Sequence, residues 1–124
     1  MRKIFLLLTL LFSIGVDAGV GGIYICSMDK FVKISKDSVT QQKGEKFTFK
    51  WTEMEIIFSS NGWFKKNRER LVINYPEQEI WQTRSWDVLM SWGSYEKGKL
   101  LWSMVDHSDN TIHSVIATCK TNFE

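Results

Sequence analysis

Along most of the chain apolar and polar residues alternate one by one, and no long stripe repeats every three or four positions. Side chains of a β-strand point to opposite faces in turn, so this period predicts strands with one buried and one wet face. The run Lys46-Phe47-Thr48-Phe49-Lys50-Trp51-Thr52 sets three aromatics on one face and Lys or Thr on the other. In residues 86–92 the same pattern aligns Trp86, Val88, Met90 and Trp92. Further strands are predicted over 23–28, 31–35, 55–59, 71–75, 79–84, 99–105 and 111–120. Between them lie turn formers: Ser35-Lys36-Asp37-Ser38, Gln42-Lys43-Gly44-Glu45, Ser60-Asn61-Gly62, Tyr75-Pro76-Glu77, Glu96-Lys97-Gly98 and Asp106-His107-Ser108-Asp109-Asn110. Asn61-Gly62 is the strongest hairpin signal, because both residues tolerate positive φ. Eight or nine short strands so spaced predict an all-β antiparallel meander, closed as a barrel in preference to a sandwich.

The N-terminus departs from this pattern. Met1-Arg2-Lys3 precedes about a dozen apolar residues, ending in Val16-Asp17-Ala18. A basic start, a short apolar run and small residues at its end form the layout of a secretory signal peptide. The run falls short of the roughly 20 residues that a permanent span needs. Residues 1–18 are therefore read as a leader cleaved after Ala18, and 19–124 as a single domain with no membrane span. That places the protein in the periplasm or outside the cell.

An oxidising compartment changes the meaning of the two cysteines. Cys26 and Cys119 stand near opposite ends of the predicted domain and are expected to pair. Cross-linking a loop of that length contributes roughly 4–5 kcal/mol in the chain-entropy model, a large part of a typical stability of about 5–15 kcal/mol. The bridge also requires the two Cα atoms to lie within about 7 Å. The first and last strands must then be neighbours, which is the condition for closing a barrel.

Composition adds exclusions. With 16 basic and 14 acidic residues the chain is too balanced for nucleic-acid binding to be expected. The excess is nonetheless uneven: residues 19–71 carry 10 basic and 6 acidic groups, and residues 72–124 carry 4 and 7. Two histidines with scattered carboxylates suggest no metal site, and Asp106, His107 and Asp109 read as ordinary turn residues. Paired carboxylates such as Glu53 and Glu55, or Glu77 and Glu79, have polar neighbours and no burial to raise a pKa. No nucleophile elbow, phosphate loop or zinc-helix motif occurs, so no enzyme and no cofactor are expected.

Six tryptophans are many for 124 residues. Trp51, Trp86 and Trp102 alternate with polar or small neighbours and are assigned to the core. Trp63 and Phe64 stand beside a turn and the basic run Lys65-Lys66-Asn67-Arg68-Glu69-Arg70. An exposed aromatic pair next to positive charge has the character of a contact patch. Trp63, Phe64, Lys65, Lys66, Arg68 and Arg70 are the candidate partner-binding residues, although a solvated charged loop has the same composition and a place in the core accounts equally well for the aromatic pair.

Tyr24-Ile25-Cys26 near the start, a late disulfide partner, the segment Ser60-Asn61-Gly62-Trp63-Phe64 and the turn Tyr95-Glu96-Lys97-Gly98 together resemble, in outline, the periplasmic inhibitors of C-type lysozyme. That family carries a Ser-Gly-x-x-Tyr loop and a later Lys-Gly turn. Here Asn61 is interposed and no Tyr follows. The resemblance implies a small closed barrel of lysozyme-inhibitor-like or lipocalin-like kind. The leading functional expectation is an exported, non-catalytic protein that binds or inhibits a protein or envelope component through one loop end. Two alternatives are a carrier of a small apolar ligand in an aromatic interior and a structural envelope protein without a discrete site.

Overall fold

The computed structural model describes residues 20–59, 64 and 68–121, so the predicted leader and the Asn61-Gly62 turn lie outside the described residues. The described chain forms nine strands: β1 (Ile23–Ile34), β2 (Val39–Gln41), β3 (Lys46–Trp51), β4 (Glu55–Phe58), β5 (Arg68–Tyr75), β6 (Ile80–Arg84), β7 (Val88–Trp92), β8 (Lys99–Asp106) and β9 (Thr111–Thr121). Every pairing is antiparallel, and each strand from β3 onward pairs with the next. Pairing of β1 with β9 closes the sheet into an eight-stranded barrel, with β2 as an addition. Pro76 starts a single 3-10 turn, Pro76–Gln78, between β5 and β6, where no ladder needs its missing N–H.

Two of the expected strands, over 23–28 and 31–35, are one. Tyr24, Cys26 and Met28 point inward on even positions, and Phe31 points inward on an odd one. A bulge against β9 between Met28 and Lys30 absorbs the change of phase. Asp29 at that bulge accepts hydrogen bonds from Thr118 Oγ1 at 2.5 Å and Lys99 Nζ at 3.2 Å. The irregularity is thereby tied to β9 beside it and, across β9, to the start of β8.

β2 was not apparent from the alternation, since all three of its residues are exposed. Its register continues that of β3: Gln41 faces Val32 as Lys46 faces Ser27, with no slip between them. Backbone bonds from Gln42 N to Phe31 O and from Met28 N to Glu45 O carry the ladder across the gap. β2 and β3 are therefore two parts of one long strand against β1. Gly44 sits in the gap because an added Cβ would lie 3.0 Å from the Met28 carbonyl oxygen.

Cys26 and Cys119 face each other across the β1–β9 seam and form the expected disulfide, with Cα atoms 4.0 Å apart. The interior is filled chiefly by rings. Tyr24 stacks on Phe49 at 4.8 Å, Phe49 meets Trp81 and Trp92 edge-on at 5.6 Å, and Phe64 joins Phe47, Phe58 and Trp102 at 4.5–5.0 Å. Such pairs add to the roughly 1.5–3 kcal/mol that burial of each large apolar side chain contributes. Trp51 also donates its indole N–H to Asn74 Oδ1 at 3.1 Å, satisfying a buried donor. Trp51 and Trp102 are core residues as expected.

Candidate binding surface

The barrel has two unlike ends. At the disulfide end lie the start of β1, the 3-10 turn and the β7–β8 turn. At the opposite end lie the tip of the β1–β2 hairpin, the Ser85–Asp87 turn and the Asp106–Asn110 turn.

At the disulfide end the backbone is tightly set. Gly93 has φ +78°, and a side chain there would collide with the Glu79 carbonyl oxygen. Hydrogen bonds from Gly93 N to Lys99 O and from Lys99 N to Glu96 O, each 3.1 Å, close the β7–β8 turn. Lys97 Nζ reaches Glu79 Oε2 at 3.2 Å. Beneath that ion pair is a cleft of about 220 Å³ whose lining includes Tyr24, Trp92 and Lys120.

The opposite end projects. Trp86, expected in the core, is 81% exposed. The inward alternation of residues 88–92 holds for Val88, Met90 and Trp92 but does not reach back to Trp86. A hydrogen bond from Ser85 N to Val88 O at 2.9 Å turns the chain there, so Trp86 belongs to a turn and not to a strand. Its indole lies parallel to the His107 imidazole, at 4.2 Å and 6°. Both supports are fixed. Val105 N donates to Asp87 O at 2.8 Å, tying the first turn to β8. Asp106 Oδ1 accepts from Ser108 N, Ser108 Oγ and Asp109 N at 2.6–3.3 Å. The Ser108 hydroxyl bond, with these backbone donors, holds the Asp106 carboxyl below the usual carboxylate range.

Around the stack the outer face is apolar and basic by turns: Arg84 and Leu89 are exposed neighbours across β6 and β7, and exposed Val105 and Ile112 pair across β8 and β9. A polar cleft of about 450 Å³ lies beside them, between Lys33, Ser35 and Thr40 of the hairpin and Asp109 and Thr111 of the next turn. His113, buried on β9 opposite Lys33, is held below its ordinary pKa, first by burial and then by Lys33, with Asp106 and Asp109 opposing. Half-buried Glu69 is pushed up by burial and by nearby Asp87. Among the described residues no three His, Cys, Asp or Glu side chains are placed to hold a metal ion.

The predicted contact patch is divided. Trp63, Lys65 and Lys66 lie outside the described residues. Phe64 is 0% exposed, which corrects its assignment to a surface pair: its ring fills the space between Phe47, Phe58 and Trp102. Arg68 and Arg70 are exposed on β5, and Arg68 Nη1 is bound to Glu55 Oε1 at 2.7 Å. Of the first fragment resembling the lysozyme inhibitors, residues 60–63 lie outside the described residues, and its one described residue, Phe64, lies apart from the second fragment. Phe64 belongs to the β4–β5 connection at the Trp86 end, and Lys97-Gly98 belongs to the disulfide end. Sequence reasoning missed the stack of Trp86 on His107. Its signal was present in Ser85 and Asp87, two turn formers that flank Trp86 and interrupt the alternation.

Among the described residues no helix is long and apolar enough to cross a membrane. Compared with known protein families, curated proteins and solved structures, the chain matches none.

Proposed function

We propose that this chain is an exported, non-catalytic binding protein that engages a protein of the envelope or extracellular space through the Trp86 end of its barrel. One observation carries the reading: a tryptophan held in the open, flat against a histidine, in a protein whose other described tryptophans are buried. Leaving so large an apolar surface in water forgoes about 1.5–3 kcal/mol of burial. Trp and Arg dominate the residues that anchor protein interfaces, and a ring already immobilised on a fixed turn loses little entropy on binding. Exposed Leu89 and Arg84 beside it extend the same surface. Export is supported by the disulfide, which an oxidising compartment maintains, and by the leader-like first 18 residues.

The interior lends less support to a carrier of apolar ligands, because its rings already contact one another at 4.5–6.4 Å. The test is capture of partners from the native envelope by the purified, oxidised chain, followed by Trp86→Ala. Loss of capture with an unchanged unfolding midpoint is expected. Equal capture by the variant would overturn the reading. N-terminal sequencing of the exported protein checks the leader, with Gly19 as the expected first residue.

A further inference from the structure

The β1–β2 hairpin reverses the rule by which the rest of the wall is built. Phe31 and Val115 pair across β1 and β9 and point into the core. Two positions further toward the Trp86 end, the same face carries Thr40, Lys33 and His113, side by side on β2, β1 and β9. The next row, on the outer face, holds Val39, Ile34 and Ile112 in register. Val39 is 70% and Ile112 40% exposed. Here the polar side chains share the inner face and the apolar ones meet the solvent.

Such an inversion costs free energy on both faces. Exposed β-branched side chains forgo their burial, and polar groups turned inward lose water unless another polar group replaces it. Natural sequences break local rules mainly at functional or strained sites. On the inner side lies the polar cleft, whose volume of about 450 Å³ is within the roughly 300–1,000 Å³ of small-molecule sites. Both of its walls are braced. Ser35 N donates to Ser38 O at 2.8 Å, and the two serine hydroxyls lie 2.9 Å apart. Opposite them, the Asp106 carboxylate accepts from Asp109 N and fixes the turn that carries Asp109. A site shaped before its ligand arrives loses less on binding.

The lining selects the ligand. Ser35, Ser38 and Thr40 present hydroxyls, which donate and accept, and Gln42 presents an amide, which does both through separate atoms. Lys33 and Asp109 add one charge of each sign, so neither an anion nor a cation is favoured. Among the described residues the lining holds no large apolar side chain, so a hydrocarbon would gain little there. We infer that this cleft binds a small neutral saccharide of one or two rings, its hydroxyls paired with Thr40, Gln42 and Asp109. A sugar alone among small neutral ligands offers so many groups that donate and accept at once. Trp86 is not in the lining, so this site is distinct from the surface proposed for a protein partner.

The probes are glucose, galactose, mannose, N-acetylglucosamine, maltose, cellobiose and lactose, each titrated into the isotopically labelled, oxidised full chain and followed by amide NMR. At least one is expected to bind saturably, with the shifted amides concentrated in residues 33–42 and 109–111. The uronic acid and the amino sugar of the same ring should bind no more tightly than the neutral form. Asp109→Ala removes a charged acceptor and should weaken the sugar roughly ten- to a hundredfold. Thr40→Val keeps the shape, removes one hydroxyl and should weaken it about two- to tenfold. Both side chains are exposed, so the fold should survive either change. Trp86→Ala should bind the sugar like the parent chain whether or not it captures a protein, so the two readings fail separately. The inference is overturned if no sugar gives saturable shifts, if the shifts centre on Trp86 or elsewhere, if a charged counterpart binds more tightly, or if Asp109→Ala and Thr40→Val both bind like the parent chain.

Discussion

Trp81 and Trp86 stand five positions apart, on β6 and on the turn that follows it, yet one is wholly enclosed and the other almost wholly exposed. The contrast extends to the two ends of the barrel. The disulfide end is drawn in, with a stapled seam, a glycine packed against a carbonyl and an ion pair over its cleft. The opposite end reaches out, with a hairpin tip, a turn built on Asp106 and an indole laid on an imidazole. Identical residue types are thus packed inside at one place and held in the open at another. Whether a residue falls on a strand or on a turn is what separates them.

The largest test of that contrast is truncation inside the wall. Trp81→Ala and Phe64→Ala should each cost about 3–5 kcal/mol in urea unfolding, the usual range for removing a buried aromatic ring. A small loss for Phe64→Ala would return that residue to the surface. Replacing both Cys26 and Cys119 by serine should cost about 2–5 kcal/mol and speed amide exchange most in β1 and β9.

Acid should loosen the Trp86 end first. The pKa of His113 is lowered in the fold, so its contribution is intact above about 6.5, the ordinary histidine value, and is lost as pH falls through the lowered one. Asp29 is lowered by the Thr118 hydroxyl, with Lys99 adding and slight burial opposing. Its contribution is therefore complete above about 3.9, the ordinary aspartate value, and is lost as pH falls from there through the lowered one. Hydrogen exchange at descending pH should show β9 opening near His113 before it opens near Thr118. The reverse order would contradict this assignment.

Glu69 has the opposite sign. Its raised pKa means that its charge is tolerated less well in the fold, so the penalty is absent at acid pH and grows as pH rises through that value. Glu69→Gln should give a small gain at neutral pH, under about 1 kcal/mol, that vanishes in acid. Smallest of all, Trp86→Ala should change stability by no more than about 0.5 kcal/mol. It should nevertheless remove most of the tryptophan fluorescence that acrylamide can quench among the described indoles.

Much of the wall was legible in advance because alternation is a local property. Phe47, Phe49 and Trp51 face inward on β3 just as their spacing predicts, and Val88, Met90 and Trp92 do so on β7. Three features were not legible. The bulge at Asp29 joins two apparent strands, and only the lateral bonds from Thr118 and Lys99 show why the phase may change there. β2 has no buried face at all and is held as a strand by pairing with β1. Phe64 enters the core from a connecting segment, where no periodicity announces it.

By itself the sequence determined the all-β class, the approximate strand positions and the single possible disulfide, since period-two patterning and a lone pair of cysteines leave little choice. Only the tertiary structure decided which aromatics seal the barrel and which stand outside it. A side chain's face is inherited along a strand, but that inheritance ends at a turn. Beyond Ser85 the direction of Trp86 depends on how two neighbouring turns meet, and that meeting is made by residues distant in the chain.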